Sequence, residues 1–167
     1  TCVLFLAALS LAFAGCAGYR LGPTSGVKPG ETSVTFEPVQ NETLEPRLGD
    51  ALAAALRKQL QRDGTFRLAT DGAGDLVVSA RVKKYHREEL SLVPGDLVTA
   101  RDYRVWATVQ FIARERSSGK VLLDETVTGK TLIRVGNDLQ STEREAMPLL
   151  ADDVAKTLVA KLADGSW

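Results

Sequence analysis

The sequence has few of the residues that catalytic and metal sites usually need. Of its 167 residues, one is histidine, two are cysteine and 6% are aromatic. The single histidine, His86, cannot form a zinc site of the usual kind, and no serine or carboxylate is placed to complete a catalytic triad. The acidic pairs Glu88-Glu89 and Asp152-Asp153 are adjacent in sequence, so their side chains diverge and do not form a paired-carboxylate site. The sequence therefore predicts no metal, no cofactor and no enzyme activity, and a surface position for His86.

The chain also lacks an excess of charge of either sign. Lys plus Arg and Asp plus Glu both number 21, so the formal net charge is zero. No overall positive field would draw the protein to nucleic acid. The glycine-rich segments 26–30 and 72–74 have neither a following Lys-Ser/Thr pair nor a strand–helix context, so neither is a phosphate-binding loop. These absences argue against nucleic-acid and nucleotide partners.

One long uncharged apolar run is present, over residues 3–14. It is shorter than the roughly 20 residues of a transmembrane helix and is typical of an export signal. Ala14-Gly15 before Cys16 resembles the lipobox of bacterial lipoproteins, with Phe13 where that class usually has Leu. The resemblance implies that residues 1–15 are a signal peptide and that Cys16 is lipidated. Because the sequence begins at Thr1, with neither a Met nor a basic region before the apolar run, we expect this signal peptide to be clipped at its start. The alternative is a buried hairpin helix with an incidental cysteine.

The lipoprotein resemblance has consequences for the rest of the chain. Residues 16–167 would form the mature protein, which is a suitable size for one domain. Its one cysteine would carry the lipid, which leaves none for a disulfide, a thiolate metal site or a nucleophile. Several acyl chains give stable membrane attachment. Lipoproteins that are retained at the inner membrane typically have Asp directly after the lipidated cysteine. This chain has Ala17 there, so the resemblance implies that the protein is located on the periplasmic side of the outer membrane.

Hydrophobic patterning predicts six elements in the order β-α-β-β-β-α. Residues 16–33 are rich in Gly, Pro, Ser and Thr, which predicts a lipidated tether and a loop leading to a domain over residues 34–167. A short strand over 33–39 precedes an amphipathic helix that begins near Pro46 and ends at Gly64. Three alternating strands follow, with turns at 94–96 and 117–120 that predict antiparallel hairpins.

The last helix opens on a capping-box pattern from Thr142 to Glu145, and Pro148 predicts either a kink or a start nearer Met147. Two amphipathic helices each need an apolar partner, and an antiparallel sheet has one apolar face to offer. The predicted architecture is therefore an α+β two-layer sandwich, in which both helices pack on one face of a four-stranded antiparallel sheet.

The opposite face of the predicted sheet gathers cations among bulky side chains. Strand alternation places on it Arg81, Lys83, Tyr85, Arg104, Trp106, Ile112, Arg114, Lys130, Leu132 and Arg134. One interpretation is a solvated face, as antiparallel sheets commonly have. The other is a surface for a phosphorylated, acyl-bearing ligand or for a protein wall.

The start of the mature chain, Cys16-Ala17-Gly18-Tyr19-Arg20-Leu21, resembles that of the LptE family of lipopolysaccharide-assembly lipoproteins. The layout is also similar, with a helix over 47–60, a long strand opened by 100–103 and a closing helix over 151–162. The resemblance implies a non-catalytic plug inside the outer-membrane barrel LptD. Such a plug supports folding of the barrel and contacts lipopolysaccharide as it is delivered to the outer leaflet.

The family's basic residues precede the long strand and the last helix, but here segments 93–96 and 137–140 are not basic. The candidate lipopolysaccharide contacts are instead Arg101, Arg104, Lys130 and Arg134. Residues 34–43 also resemble the first strand of curli-export and TolB-like domains, so a secretion component or periplasmic scaffold is the alternative. Those domains usually alternate strands with helices, whereas this chain has three successive strands.

Overall fold

The computed structural model of the protein describes residues 28–92, 94–95, 100–135 and 138–165. The predicted signal peptide, lipidated Cys16 and most of the tether lie outside the described residues. The elements, in chain order, are β1 (Ser33–Phe36), β2 (Gln40–Asn41), α1 (Arg47–Asp63), β3 (Arg67–Leu68), β4 (Leu76–Leu92), β5 (Ala100–Glu115), β6 (Val121–Arg134) and α2 (Leu139–Asp164). The predicted α+β class, with two helices packed on a mostly antiparallel sheet, is confirmed.

The sheet is mixed, so the prediction of four purely antiparallel strands was wrong. Its order is β3-β1-β4-β5-β6, with β2 pairing β4 off this path. The segment β4–β5–β6 is the expected antiparallel meander. By contrast, β1 is parallel to both β3 and β4, and β2 is parallel to β4. Helix α1 lies between β1 and β4 in the chain, and a crossover of this kind brings the second strand back in the same direction.

The apolar faces predicted from spacing form the core. All five residues of the stripe predicted for α1 are buried, and Gly64 ends the helix with a φ of 75°. The predicted apolar face of β5 is buried from Val105 to Ala113, at exposures of 1% or less. These residues and the inner stripe of α2 belong to one buried cluster. The two helices and the sheet therefore enclose a single core.

Helix α2 begins earlier than predicted. The side chain of Asp138 accepts hydrogen bonds from the backbone N–H groups of Gln140, at 3.2 Å, and Ser141, at 2.8 Å. This N-cap satisfies two amides that would otherwise have no partner, so the helix starts at Leu139 and runs on through Pro148. A cap at Thr142 and a start near Met147 were both wrong. Among the described residues, no helix is long and apolar enough to span a membrane.

Candidate ligand-binding face

The candidate site lies on the sheet face that points away from the helices. On β5, Val105, Ala107 and Val109 point into the core, so the alternate residues Arg104, Trp106 and Thr108 point outward. We call this surface the open face. Across β5 and β6 it consists of Asp102, Arg104, Trp106, Thr108, Gln110, Ile112, Asp124, Thr126, Thr128, Lys130, Leu132 and Arg134.

A bulge in β4 changes which of its side chains reach the open face. Val82 pairs with Val109 and Lys84 pairs with Thr108, so Lys83 is an extra residue that reverses the alternation after it. Beyond the bulge, His86 lies opposite Trp106 and is exposed, as predicted.

Tyr85 is carried by the same bulge to the helix side, so its predicted place on the open face was wrong. Its hydroxyl donates a hydrogen bond to Glu143 of α2. Desolvation and this hydrogen bond raise the pKa of Tyr85 far above its usual value. Arg87 reaches the same carboxylate, with its Nη1 3.3 Å from Oε2. Tyr85 and Arg87 therefore join β4 to the first turns of α2 instead of facing a ligand.

Two of the four candidate cations, Arg104 and Lys130, flank Trp106. Lys130 lies directly opposite Trp106 on β6, and Arg104 precedes it by two residues on β5. The Cζ atom of Arg104 and the Nζ atom of Lys130 each lie 5.6 Å from the centroid of the indole ring. Cation–π contacts of this kind are worth about 0.5–1 kcal/mol at exposed sites. Arg104 also has its Nη1 3.4 Å from Glu88 Oε2.

The other two candidates, Arg101 and Arg134, converge on Asp102. The distance from Arg134 Nε to Asp102 Oδ1 is 2.8 Å, and that from Arg101 Nε to Oδ2 is 3.4 Å. Hydrogen bonds from Ser91 and Arg134 hold the pKa of Asp102 below its usual value, and Asp102 in turn raises the pKa of Arg134. Sequence reasoning missed Asp102, although its place two residues before Arg104 on the same strand was a usable signal.

Exposed leucines accompany these cations. Leu132 lies opposite Arg104 in the register and is 65% exposed, and Leu90 is 41% exposed. Both leucines line a groove of about 450 Å³ together with Asp102 and Arg134. This end of the open face thus combines fixed positive charge, an indole ring and accessible aliphatic surface.

The rest of the open face is different in character. Its middle is uncharged at Thr108 and Thr128, whose hydroxyl oxygens are 3.2 Å apart. Toward the β2 side, Glu42 lies 3.5 Å from Arg81 Nε and 3.2 Å from Lys83 Nζ, so these two predicted cations are paired. Within the part of the chain that the structure describes, no cluster of three or more His, Cys, Asp or Glu side chains could hold a metal ion. The arrangement can bind anionic and apolar groups.

Comparisons with solved structures show the same fold in several bacterial proteins. A minor lipoprotein from Acinetobacter baumannii is 20% identical, with a TM-score of 0.51 over 79% of this chain and 92% of that one. Protein XCC0632 from Xanthomonas campestris is 11% identical, with a TM-score of 0.62 over 87% of this chain and 91% of that one. The PelC dodecamer from Paraburkholderia phytofirmans is 18% identical, with a TM-score of 0.53 over 84% of this chain and 93% of that one. At these identities the likeness shows the fold alone.

No curated protein matches the sequence significantly. A family model described as LptE, lipopolysaccharide assembly, matches residues 32–162, which is well over half of the chain. The family is one of non-enzymatic assembly lipoproteins, so the prediction that the protein is not an enzyme is confirmed on that ground. The resemblance inferred from the sequence is confirmed as well: the chain belongs to the LptE family of lipopolysaccharide-assembly lipoproteins.

Proposed function

We propose that the protein is an outer-membrane lipoprotein that plugs and helps to assemble an LptD barrel and assists delivery of lipopolysaccharide to the outer leaflet. Membership of the family supports this role. The structural observation that carries it is the indole of Trp106 between Arg104 and Lys130, beside exposed Leu132. Anchoring through a lipid on Cys16 would hold the domain on the periplasmic side of the membrane.

The chemistry of this cluster suits a phosphorylated, acylated glycolipid. Arg and Lys make charge-assisted hydrogen bonds to phosphate that are about twice as strong as neutral ones. The indole and Leu132 provide apolar contact for acyl chains next to those charges. Arg104 pairs with an exposed carboxylate only at 3.4 Å, and exposed pairs are worth about 0–1 kcal/mol. A phosphate can therefore replace Glu88 at little cost.

Arg101 and Arg134 take a secondary part in this proposal. Each already contacts Asp102, whose negative charge offsets theirs. A ligand phosphate would have to compete with that carboxylate. We therefore assign the principal contact to Arg104 and Lys130, and a supporting contribution to the other two.

The experiment that tests the glycolipid contact reverses three charges together. In Arg104→Glu/Lys130→Glu/Arg134→Glu, the circular dichroism spectrum and the melting temperature should stay close to those of the wild type, because exposed cations contribute little to stability. Binding of purified lipopolysaccharide should weaken, and cells relying on this variant should become permeable to large antibiotics.

The matched control for this variant applies the same change of charge to α1, at Arg47, Arg57 and Lys58, which are exposed. It should bind lipopolysaccharide as the wild type does. Wild-type binding and barrier function in the folded open-face variant would show that this face is merely solvated.

The barrel partner and the anchor have separate tests. Affinity purification from detergent-solubilised outer membranes should recover one large barrel per copy of the protein. A homo-oligomeric ring would favour the secretion alternative instead. Cys16→Ala should leave an uncleaved precursor, and metabolic labelling with a fatty acid should not mark it. A labelled Cys16→Ala variant would overturn the assignment of the lipidation site.

A further inference from the structure

Part of strand β4 has no neighbouring strand on one side. On the side of β4 opposite β5, the cover that β2 provides ends at Val82, whose carbonyl oxygen accepts the N–H of Glu42 at 3.0 Å. Among the described residues, no strand pairs with that side of residues 83–89. The bulge at Lys83 and a second irregularity of register after Glu89 bound this segment. We call residues 83–89 the free edge.

The backbone groups of alternate residues point out of the free edge. Because the bulge reverses the alternation, the outward positions after Val82 are Tyr85, Arg87 and Glu89, while the residues between them bond to β5. A groove of about 780 Å³ between this edge and the β2–α1 loop is lined by the consecutive residues 83–87. Alternate side chains point to opposite faces, so such a groove lies along the edge of the strand. Outward N–H and C=O groups in an accessible groove form a template for another strand.

The charges of the free edge favour a second copy of the same edge as that strand. The segment reads Lys-Lys-Tyr-His-Arg-Glu-Glu, with two lysines at one end and two glutamates at the other. When two copies pair antiparallel about a two-fold axis at His86, Lys84 of each copy lies opposite Glu88 of the other. Both side chains lie on the open face, since β4 pairs them with Thr108 and Arg104. Opposite charges placed directly across a strand pair stabilise it.

The neighbouring registers lack this match. The two open faces stay on the same side of a joined sheet only when the axis passes through a residue and not between two. With the axis at Tyr85, Lys83 would lie opposite Arg87 of the second copy. With the axis at Arg87, the two Arg87 side chains would face each other and Lys84 would lie opposite Leu90. Like charges directly opposite are destabilising, so the charge pattern selects one register.

The single copy leaves these charges and this edge available. Lys84 makes no ion pair with any residue that the structure describes. Glu88 contacts Arg104 at 3.4 Å in an exposed pair, which is worth about 0–1 kcal/mol. The edge of β6 is different, because Asp153 Oδ2 on α2 accepts the N–H of Lys130 at 2.9 Å and the helix thus covers its middle. The free edge of β4 is therefore the better site for strand addition.

We propose that two copies of the protein pair through the free edge as an antiparallel dimer, with its two-fold axis at His86, which joins their sheets into one. The contact is isologous, so it closes at two copies and forms no ring. One pair of short strands buries less area than a permanent dimer needs, so the pairing is reversible. Lipid anchors that concentrate the copies on one membrane would strengthen it. The inference goes beyond the proposed function, because it concerns copies that have not met a barrel.

The first test uses the full-length lipoprotein, expressed above the level of its barrel. Lipid would occupy Cys16, the one cysteine after the signal peptide, so an added cysteine reports on a single position. The two His86 residues would lie directly opposite each other as a non-hydrogen-bonded pair, with Cα atoms about 4.5 Å apart, which suits a disulfide. His86→Cys should therefore give a disulfide-linked dimer on non-reducing gels. Its yield should exceed by about tenfold that of Arg57→Cys, a control at an exposed position of α1.

Charge variants in the His86→Cys protein test the register. Lys84→Glu should lower the yield of linked dimer by about tenfold, because it places like charges opposite each other, and Glu88→Lys should do the same. Co-expression of these two variants should restore the dimer, since each reversed charge then faces its complement. Arg57→Glu changes the net charge as Lys84→Glu does and should leave the yield unchanged. All variants should melt close to the wild-type temperature.

Three results would overturn this inference: no disulfide in a folded His86→Cys protein, equal linkage at position 57, or no recovery on co-expression of the two charge variants. A photo-crosslinking amino acid at position 86 should also link two copies. Linkage only to a different protein would overturn the inference as well and would identify another strand as the occupant. Recovery of a barrel on affinity purification tests the proposed function separately, so failure of the dimer leaves that proposal standing.

Discussion

The two faces of the same three strands show different chemistry although they share one backbone. On β5 the covered face carries Val105, Ala107, Val109 and Phe111, all fully buried. The open face carries Arg104, Trp106, Thr108 and Gln110 at the intervening positions, all partly exposed. Stability is therefore concentrated on one side of the sheet, and the groups able to recognise a ligand on the other.

This separation implies that substitutions on the two faces should have different consequences. Removing a buried aliphatic group leaves a cavity and lowers the free energy of unfolding. Removing an exposed charge changes it little but alters what the surface can bind. The following predictions test the separation, from the largest expected effect on stability to the smallest.

The largest effect is expected at Leu56, which is fully buried in α1. Leu56→Ala should lower the free energy of unfolding by about 2–5 kcal/mol, the usual cost of truncating a buried leucine. Chemical denaturation of residues 28–167 would measure it. The control is Leu149→Ala, an exposed position, which should change stability by less than about 0.5 kcal/mol. Equal effects at the two sites would contradict the placement of α1 in the core.

Gly129 should be the next most sensitive position. A Cβ atom there would overlap the side chain of Val154 and lie 3.0 Å from the Val154 backbone nitrogen, because α2 lies close against β6 at this point. Asp153 Oδ2 fixes that approach by accepting the N–H of Lys130 at 2.9 Å. Gly129→Ala should therefore cost about 1–3 kcal/mol, as overpacking does.

A second glycine provides the contrast for Gly129→Ala. In α1, a Cβ atom on Gly49 would meet the Cβ of Asn41 at 3.6 Å, which is an ordinary contact. Alanine is favoured over glycine inside a helix by about 0.8–1.0 kcal/mol. Gly49→Ala should therefore stabilise the domain or leave it unchanged in the same denaturation assay. A Gly129→Ala protein as stable as the wild type would show that the helix can move away from the sheet.

A smaller effect is expected from Tyr85→Phe. The phenol donates to Glu143 across the interface between β4 and α2, and its raised pKa keeps the donor proton in place across the neutral and mildly alkaline range. Loss of this hydrogen bond should lower stability by about 0.5–1.5 kcal/mol. A double-mutant cycle with Glu143→Gln would measure the coupling between the two side chains. A coupling energy near zero would contradict the contact.

The smallest effect is expected at Asp102, on the open face, and it should depend on pH. The pKa of this carboxyl is lowered in the folded protein, so its contribution is fully present above the unfolded value of about 3.9 and is lost as the pH falls through the folded value. The difference in stability between wild type and Asp102→Asn should therefore be constant from about pH 5 to 8. Below about pH 4 it should shrink. Urea titrations across this range would measure it, and a difference that grows on acidification would contradict the ion pairs.

Local patterns predicted the helices and long strands whose apolar faces form the core. Helix α1 was placed to within a residue, because its apolar spacing is regular and Gly64 adopts a positive φ that favours glycine. Alternation also placed Arg104, Lys130 and Arg134 correctly on the open face. Arg101 was not placed with them, since it shares the parity of Tyr103 and Val105, and its guanidinium only reaches Asp102. That any of the four cations binds lipopolysaccharide is still a prediction.

The features that were missed depend on pairing between distant segments. The bulge at Lys83 cannot be read from two consecutive lysines, because only the register against β5 shows which of them is the extra residue. Strands β2 and β3 have two residues each, too few to show any period. Their parallel partners lie tens of residues away. The capping-box pattern at Thr142 misplaced the start of α2, because Asp138 supplies the N-cap instead.

The parallel pairing of β1 also has a consequence for the order in which the protein folds. The strands β4, β5 and β6 are consecutive in the chain and pair antiparallel, so contacts near their connected ends are local and form early. Strand β1 pairs with β4 at Val34 and Leu76, and this contact closes a loop that contains all of α1. During secretion β1 would leave the translocation channel before any of its partners, with its backbone groups still unpaired. Closure of this long loop is therefore expected to be the slow step, and a chaperone that shields β1 should raise the yield of folded protein.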